Sequence, residues 1–366
     1  MNRRHFLQGL GAVTTSLAAA LVLPTAAPAC LAPKLIEVGW DTPEPAALLA
    51  NLALYESRAP FDGLVLTLRN NNNQAGTWAT LGYHAWHPRL ERLDYYSAAI
   101  NATKAVNTQA QRFKENLLDL KAQPGTNDWF DDIAWPSNFQ QCKNIAMIAR
   151  DTGCKGVFFD TESYSYGTPF QFAPTTTTVR DPSKSFAEYQ AKVRQRGQEF
   201  MLALQAGFPG LQVLLTWGYY IALSRVTSTT PLSMGKYGLL PSFLDGMLDV
   251  ATVQLYDGYE HSYGFKAASN FDGALAEYTV GYGSESAGYG QHYTPSFGLW
   301  LDCYSNTSAY RWGVNNYFSP AQWQTSLGLA LAKTQKYVWV YSEQANWYDS
   351  SMPAAYQSAT TAARVA

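Results

Sequence analysis

Two carboxylates stand where an apolar run stops: in Gly153-Cys-Lys-Gly-Val-Phe-Phe-Asp-Thr-Glu-Ser-Tyr164, Asp160 and Glu162 follow Val157–Phe159 directly. An apolar run of this kind reads as an interior parallel strand covered on both faces. Side chains alternate along a strand, so Phe158, Asp160 and Glu162 share one face and Phe159 and Thr161 the other. At about 3.3 Å per residue the two carboxylates lie roughly 6–7 Å apart, aimed the same way. Like charges at the end of an apolar strand are costly unless they are paired or used. Pairing with Lys155 or Arg69 is the purely structural alternative, although Lys155 points off that face. Cleavage of a glycosidic bond uses such groups: one carboxyl held protonated and one held ionised, around an oxocarbenium-like transition state. Desolvation and the adjacent Asp160 would raise the pKa of Glu162, which makes Glu162 the general acid. The second group stays open between Asp160 (acting directly or by steadying a nucleophile on the substrate), Asp257 and Glu343. An Asp160 nucleophile with Asp257 as acid is a coherent variant.

The elements that must hold these groups alternate between short β-type runs and helical segments, the pattern of α/β architecture. Strands are expected at Leu35–Trp40, Asp62–Arg69, Asn116–Lys121, the opening stretch, Leu211–Trp217, Ala251–Tyr256, Ser296–Asp302 and Tyr337–Tyr341. Helices are expected over 90–109, 138–150, 185–206, 239–248 and 320–334, with a closing helix after Pro353. Eight strands with helical crossovers in about 320 residues imply a single α/β domain, a (β/α)8 TIM barrel with enlarged βα loops. A doubly wound open sheet is the competing architecture, but no glycine-rich phosphate fingerprint follows the first strand. Active sites of such barrels lie at the C-terminal strand ends. Those ends read Trp40/Asp41, Arg69, the Asp128-Trp129 loop, Asp160/Glu162, Trp217, Tyr256/Asp257, Asp302 and Glu343. Tyr256 is placed to donate to developing charge. Trp40, Trp217 and Trp339 are expected to stack on sugar rings, with Asp41, Arg69 and Glu343 as further substrate contacts.

The spacing Gly153-x-x-Gly156-x-x-x-Asp160-x-Glu162 resembles the fourth-strand signature of the chitinase-like family 18 glycoside hydrolases. Tyr256-Asp257 is similar to that family's Tyr-Asp pair, and Trp339 to its pocket-floor tryptophan. The resemblance implies Glu162 as proton donor, with Asp160 orienting an acetamido group that acts as internal nucleophile. Two aspartates that precede this pair in the family are replaced here by Lys155 and Phe158, so the resemblance is to a distant relative rather than to a chitinase.

Composition narrows the partners. Lys+Arg 26 against Asp+Glu 28 gives a net charge of −2, with no footprint for nucleic acid or an anionic membrane. Charged residues are 15%, below the roughly 25% of ordinary soluble chains. Aromatics reach 14%, with 24 Tyr and 11 Trp, which suits a cleft for sugars, apolar on their C–H faces and polar at their rims. Arg3-Arg4 before an apolar stretch from Leu10 to Leu23, then Ala27-Pro28-Ala29, resembles a bacterial twin-arginine export signal. Residues 1–29 are therefore expected to be a signal peptide and 30–366 the barrel catalytic domain, periplasmic or secreted. Lipidation at Cys30 is the less favoured outcome, and no stable membrane insertion is expected. Cys142 and Cys154 could bridge, with buried free thiols the alternative. His84-x-x-His87 lacks a convincing third ligand, so neither metal nor cofactor is expected. The competing functions are a non-catalytic carbohydrate-binding barrel and a metal-dependent deacetylase or phosphodiesterase.

Overall fold

The computed structural model describes residues 32–71, 79–87, 89–164, 167–175, 180–224 and 226–365; the expected signal peptide and Cys30 lie outside them. Among the described residues are nine strands: β1 (Lys34–Gly39), β2 (Gly63–Leu66), β3 (Leu117–Lys121), β4 (Gly156–Asp160), β5 (Gln212–Leu215), β6 (Leu255–Asp257), β7 (Tyr293–Pro295), β8 (Phe297–Trp300) and β9 (Tyr337–Ser342). They pair in parallel in the order β7-β6-β5-β4-β3-β2-β1-β9-β8. The two ends of that order are one strand, because only Ser296 separates β7 from β8 in the chain. Ser296 donates its amide to the Asp257 carbonyl at 2.8 Å on the β6 side. Its hydroxyl donates to the Tyr337 carbonyl on the β9 side. The sheet thus closes on itself as an eight-stranded TIM barrel whose seventh strand is kinked.

Strand alternation sorts the apolar residues into two cores. Ile36, Val65, Leu117, Phe158, Leu214, Tyr256, Tyr337 and Trp339 fill the barrel interior. Their neighbours, among them Leu35, Leu64, Leu118, Val157, Phe159, Val213 and Val340, face the surrounding helices. Helices Trp135–Thr152, Phe186–Gly207 and Leu240–Asp249 pack around β4 and β5. The first of these ends at Gly153, whose φ of 84° is the left-handed conformation a helix C-terminus favours and glycine supplies at least cost. The amides of Gly153 and Cys154 return to the Arg150 and Ala149 carbonyls, and this closure delivers the chain into β4.

Three strands differ most from expectation. The second of the barrel ends at Leu66 rather than Arg69. β6 begins at Leu255 rather than Ala251, because Gln205 Oε1 captures both the amide and the hydroxyl of Thr252 at 2.6 Å and holds that stretch in a turn. The seventh strand begins earlier, at Tyr293, and carries the kink. Cys142, Cys154 and Cys303 are buried free thiols, so the Cys142–Cys154 bridge is not formed.

Candidate active site

At the C-terminal mouth of the barrel the interior parity turns from apolar to charged. On β3 it runs from Leu117 to Asp119 and Lys121; on β4 it runs from Phe158 to Asp160, and Lys121 is the register partner of Asp160. Lys121 Nζ lies 2.9 Å from Asp160 Oδ2 and 3.2 Å from Asp119 Oδ1, under the rings of Tyr83 and Tyr164 at 5.0 and 5.8 Å. Burial works against the charge on Lys121, but the two aspartates outweigh it and hold its pKa above the ordinary value. Burial also pushes Asp119 up, with Lys121 opposing. The partner of the β4 carboxylate is therefore Lys121, not Lys155 or Arg69.

Every side of the Asp160 carboxylate is occupied. Besides Lys121, it accepts from the Tyr164 hydroxyl at 2.8 Å, the Glu162 amide at 2.9 Å and the Thr216 hydroxyl at 3.3 Å. With 2% exposure and four donors, the Asp160 carboxylate is held in one position at the mouth. Glu162, two residues on, is only partly buried. Burial and then the Asp160 charge push its carboxyl above the ordinary carboxylate range, against Tyr164, Lys121 and Lys236.

An aromatic wall stands across the mouth. Trp339 is buried on the barrel axis side, its indole donating to the Gly258 carbonyl at 2.8 Å. It packs edge-on to Phe158 at 5.4 Å and to Tyr263 at 5.4 Å. Tyr263 stacks on Tyr341 at 5.6 Å and meets Trp300 at 5.6 Å. Tyr341 donates to Glu343 Oε1 at 3.1 Å, and burial raises the Glu343 carboxyl. Asp302, buried at 1% exposure, accepts from the Trp300 indole and from the amides of Glu343, Gln344 and Ala345; it shapes the loop that presents Glu343.

The remaining expected site residues fall into two groups. Trp217 and Trp40 belong to the strand-end face, Trp217 edge-on to Tyr237 at 4.9 Å and Trp40 78% exposed at the end of β1. Arg69 also lies there, paired with Glu44 at 2.6 Å on an exposed rim. Tyr256, Asp257 and Asp41 are not brought to Glu162. Tyr256 points down the barrel, donating at 2.8 Å to Gln212 at the start of β5, and burial pushes it up to about 12. Asp257 has the opposite parity and faces the helices. Its Oδ1 accepts from the Tyr259 amide at 3.0 Å, and burial pushes it up to about 6. Asp41 accepts from the Trp347 amide at 2.8 Å. Burial pushes it up to about 6 beside the fully buried Glu37, which in turn accepts from Thr42 and Tyr348.

Two acidic groups of the mouth, Asp119 and Glu260, are absent from the sequence expectations. Glu260 follows β6 through a sharp turn in which a Cβ on Gly258 would meet the Leu215 carbonyl at 1.8 Å, and Tyr259 takes a left-handed φ of 41°. A non-glycine residue there is strained and is held by its surroundings, here by the Asp257–Tyr259 hydrogen bond. The turn carries Glu260 back toward Glu162. Burial, then the charges of Glu162 and Asp160, push its carboxyl well above normal, against hydrogen bonds from Trp217 and Tyr263.

No family model and no curated protein matches the chain. Solved structures that resemble it include a GH113 β-1,4-mannanase, at 12% identity over 92% of this chain and 99% of that one, with a TM-score of 0.47. An endocellulase from Pyrococcus horikoshii gives 10% over 91% and 92%, with a TM-score of 0.49. A 3-keto-D-glucoside 4-epimerase from E. coli gives 13% over 90% and 99%, with a TM-score of 0.46. Likeness this distant leaves the chemistry to be argued from the residues.

Proposed function

We propose that this chain is an exported glycoside hydrolase that cleaves a poly- or oligosaccharide with Glu162 as general acid. The observation that carries the proposal is the pairing of an immobilised carboxylate with a less confined one: Asp160, locked by four donors, beside the half-buried Glu162, whose proton burial and then Asp160 help retain. Glu162 would donate its proton to the glycosidic oxygen as the bond to the anomeric carbon breaks. The immobilised Asp160 carboxylate favours the oxocarbenium-like transition state. Counting β7 and β8 as one strand, β9 is the eighth and lies diametrically opposite β4. Glu343 at its end is therefore the carboxylate we place on the far side, to take the proton of an attacking water. Trp40, Trp217, Trp300 and Tyr341 supply ring faces for sugars. Arg3-Arg4 and the apolar stretch after it support delivery to the periplasm or beyond.

The test is Glu162→Gln on a glycan panel with product analysis. The expected result is loss of turnover by about 100-fold or more with an unchanged melting temperature. Near-wild-type turnover in that variant would remove Glu162 from the chemistry.

A further inference from the structure

Glu260 is the carboxyl that this cleavage scheme leaves over. It lines a pocket of about 140 Å³ together with Trp217, Tyr220, Ile221, Tyr259 and His261. At ~30 Å³ per water, this is room for roughly four or five waters, the scale of one edge of a sugar ring rather than of a chain. Rings crowd the pocket: His261 stacks on Tyr220 at 4.4 Å, and Tyr220 packs on Tyr259 at 4.9 Å. A carboxyl in a pocket lined by aromatic side chains suits an ammonium group, which gains from ring quadrupoles and from a charge-assisted hydrogen bond together.

The charges around the mouth point the same way. Asp119 and Asp160 share Lys121. Lys236 donates to the Ser163 carbonyl at 3.0 Å and acts on Glu162. Among the described residues no lysine or arginine forms an ion pair with Glu260. Burial pushes the neighbouring His261 toward its neutral form, so it does not supply the missing cation. Burial first, and then the charges of Glu162 and Asp160, favour the protonated form of Glu260 against hydrogen bonds from Trp217 and Tyr263; an ammonium ligand in the pocket would favour the carboxylate and pair with it.

We infer, on the glycosidase reading, that Glu260 and its ring-lined pocket take the protonated amino group of an amino sugar, so that the substrate is a glycan with free, unacetylated amines. Calorimetric titration of the Glu162→Gln protein with glucosamine tetramer, N-acetylglucosamine tetramer and cellotetraose tests this. The glucosamine tetramer should bind at least about tenfold tighter than either other probe at low salt, and added salt should erode that advantage. A further Glu260→Gln change should abolish the preference, bringing the glucosamine tetramer to the level of the other two probes. Equal or tighter binding of the acetylated or neutral probe, or a preference that survives salt and Glu260→Gln, would overturn the inference. If the wild type also cleaves neutral glycans, that outcome leaves the glycosidase reading standing. Failure to bind or cleave any glycan in a broad panel would overturn both.

Discussion

Asp257→Asn isolates one buried charge. The wild-type carboxyl is pushed from 3.8 to about 6, with burial the largest cause and hydrogen bonds from Tyr293, Tyr259 and Gly218 opposing it. A difference of about two units, at about 1.4 kcal/mol each, amounts to about 3 kcal/mol. The folded chain holds this proton more tightly than the unfolded one. The associated stability is therefore fully present below the unfolded value of 3.8 and is lost as pH rises through 6. Asparagine keeps a carbonyl for the Tyr259 amide and does not titrate. Urea unfolding of both proteins, followed by tryptophan fluorescence from about pH 4 to about pH 7.5, should show the variant gaining on the wild type by about 2.5 kcal/mol across the interval. Asp41 titrates in the same window, but it is present in both chains and drops out of the difference. A stability difference that stays flat, or that shifts in favour of the wild type as pH rises, would refute the burial of Asp257 behind β6.

Lys121→Met removes the cation shared by Asp119 and Asp160, and breaking a buried pair this way should cost about 3–5 kcal/mol. Adding Asp160→Asn in the same chain should return part of that loss, as read from urea midpoints with unchanged slopes. Asp302→Ala leaves the amides of Glu343, Gln344 and Ala345 without their acceptor. It should destabilise by about 4 kcal/mol, measured by the same unfolding assay.

Much of the barrel was legible because interior strands of a parallel sheet are apolar on both faces, so the runs around Val157–Phe159 and Tyr337–Val340 stand out from the helices between them. Alternation then put Asp160 and Glu162 on the inner face. The same rule was available for Tyr256-Asp257, since adjacent strand residues point to opposite sides. Read as a pair they suggest one site, but Tyr256 points in and Asp257 out. Asp119 and Lys121 share the parity of Leu117, so their inward direction was readable. Their purpose was not, because it depends on the register that sets Lys121 beside Asp160. Glu260 was missed for a different reason: no strand pattern reaches it, and only the folded turn through Gly258 and Tyr259 returns it to the mouth.

The kink at Ser296 has a mechanical side. The ladder between β1 and β2 and that between β2 and β3 each have two register pairs, so β2 is a narrow joint on one flank of the barrel and Ser296 a break on the other. Between these joints lie two arcs, β3 to β7 and β8-β9-β1. Lys121, Glu162 and Glu260 ride on the first arc, and Glu343 rides on the second. Any movement of one arc against the other would change the gap between Glu162 and Glu343 and leave the spacing of Glu162 and Glu260 as it is.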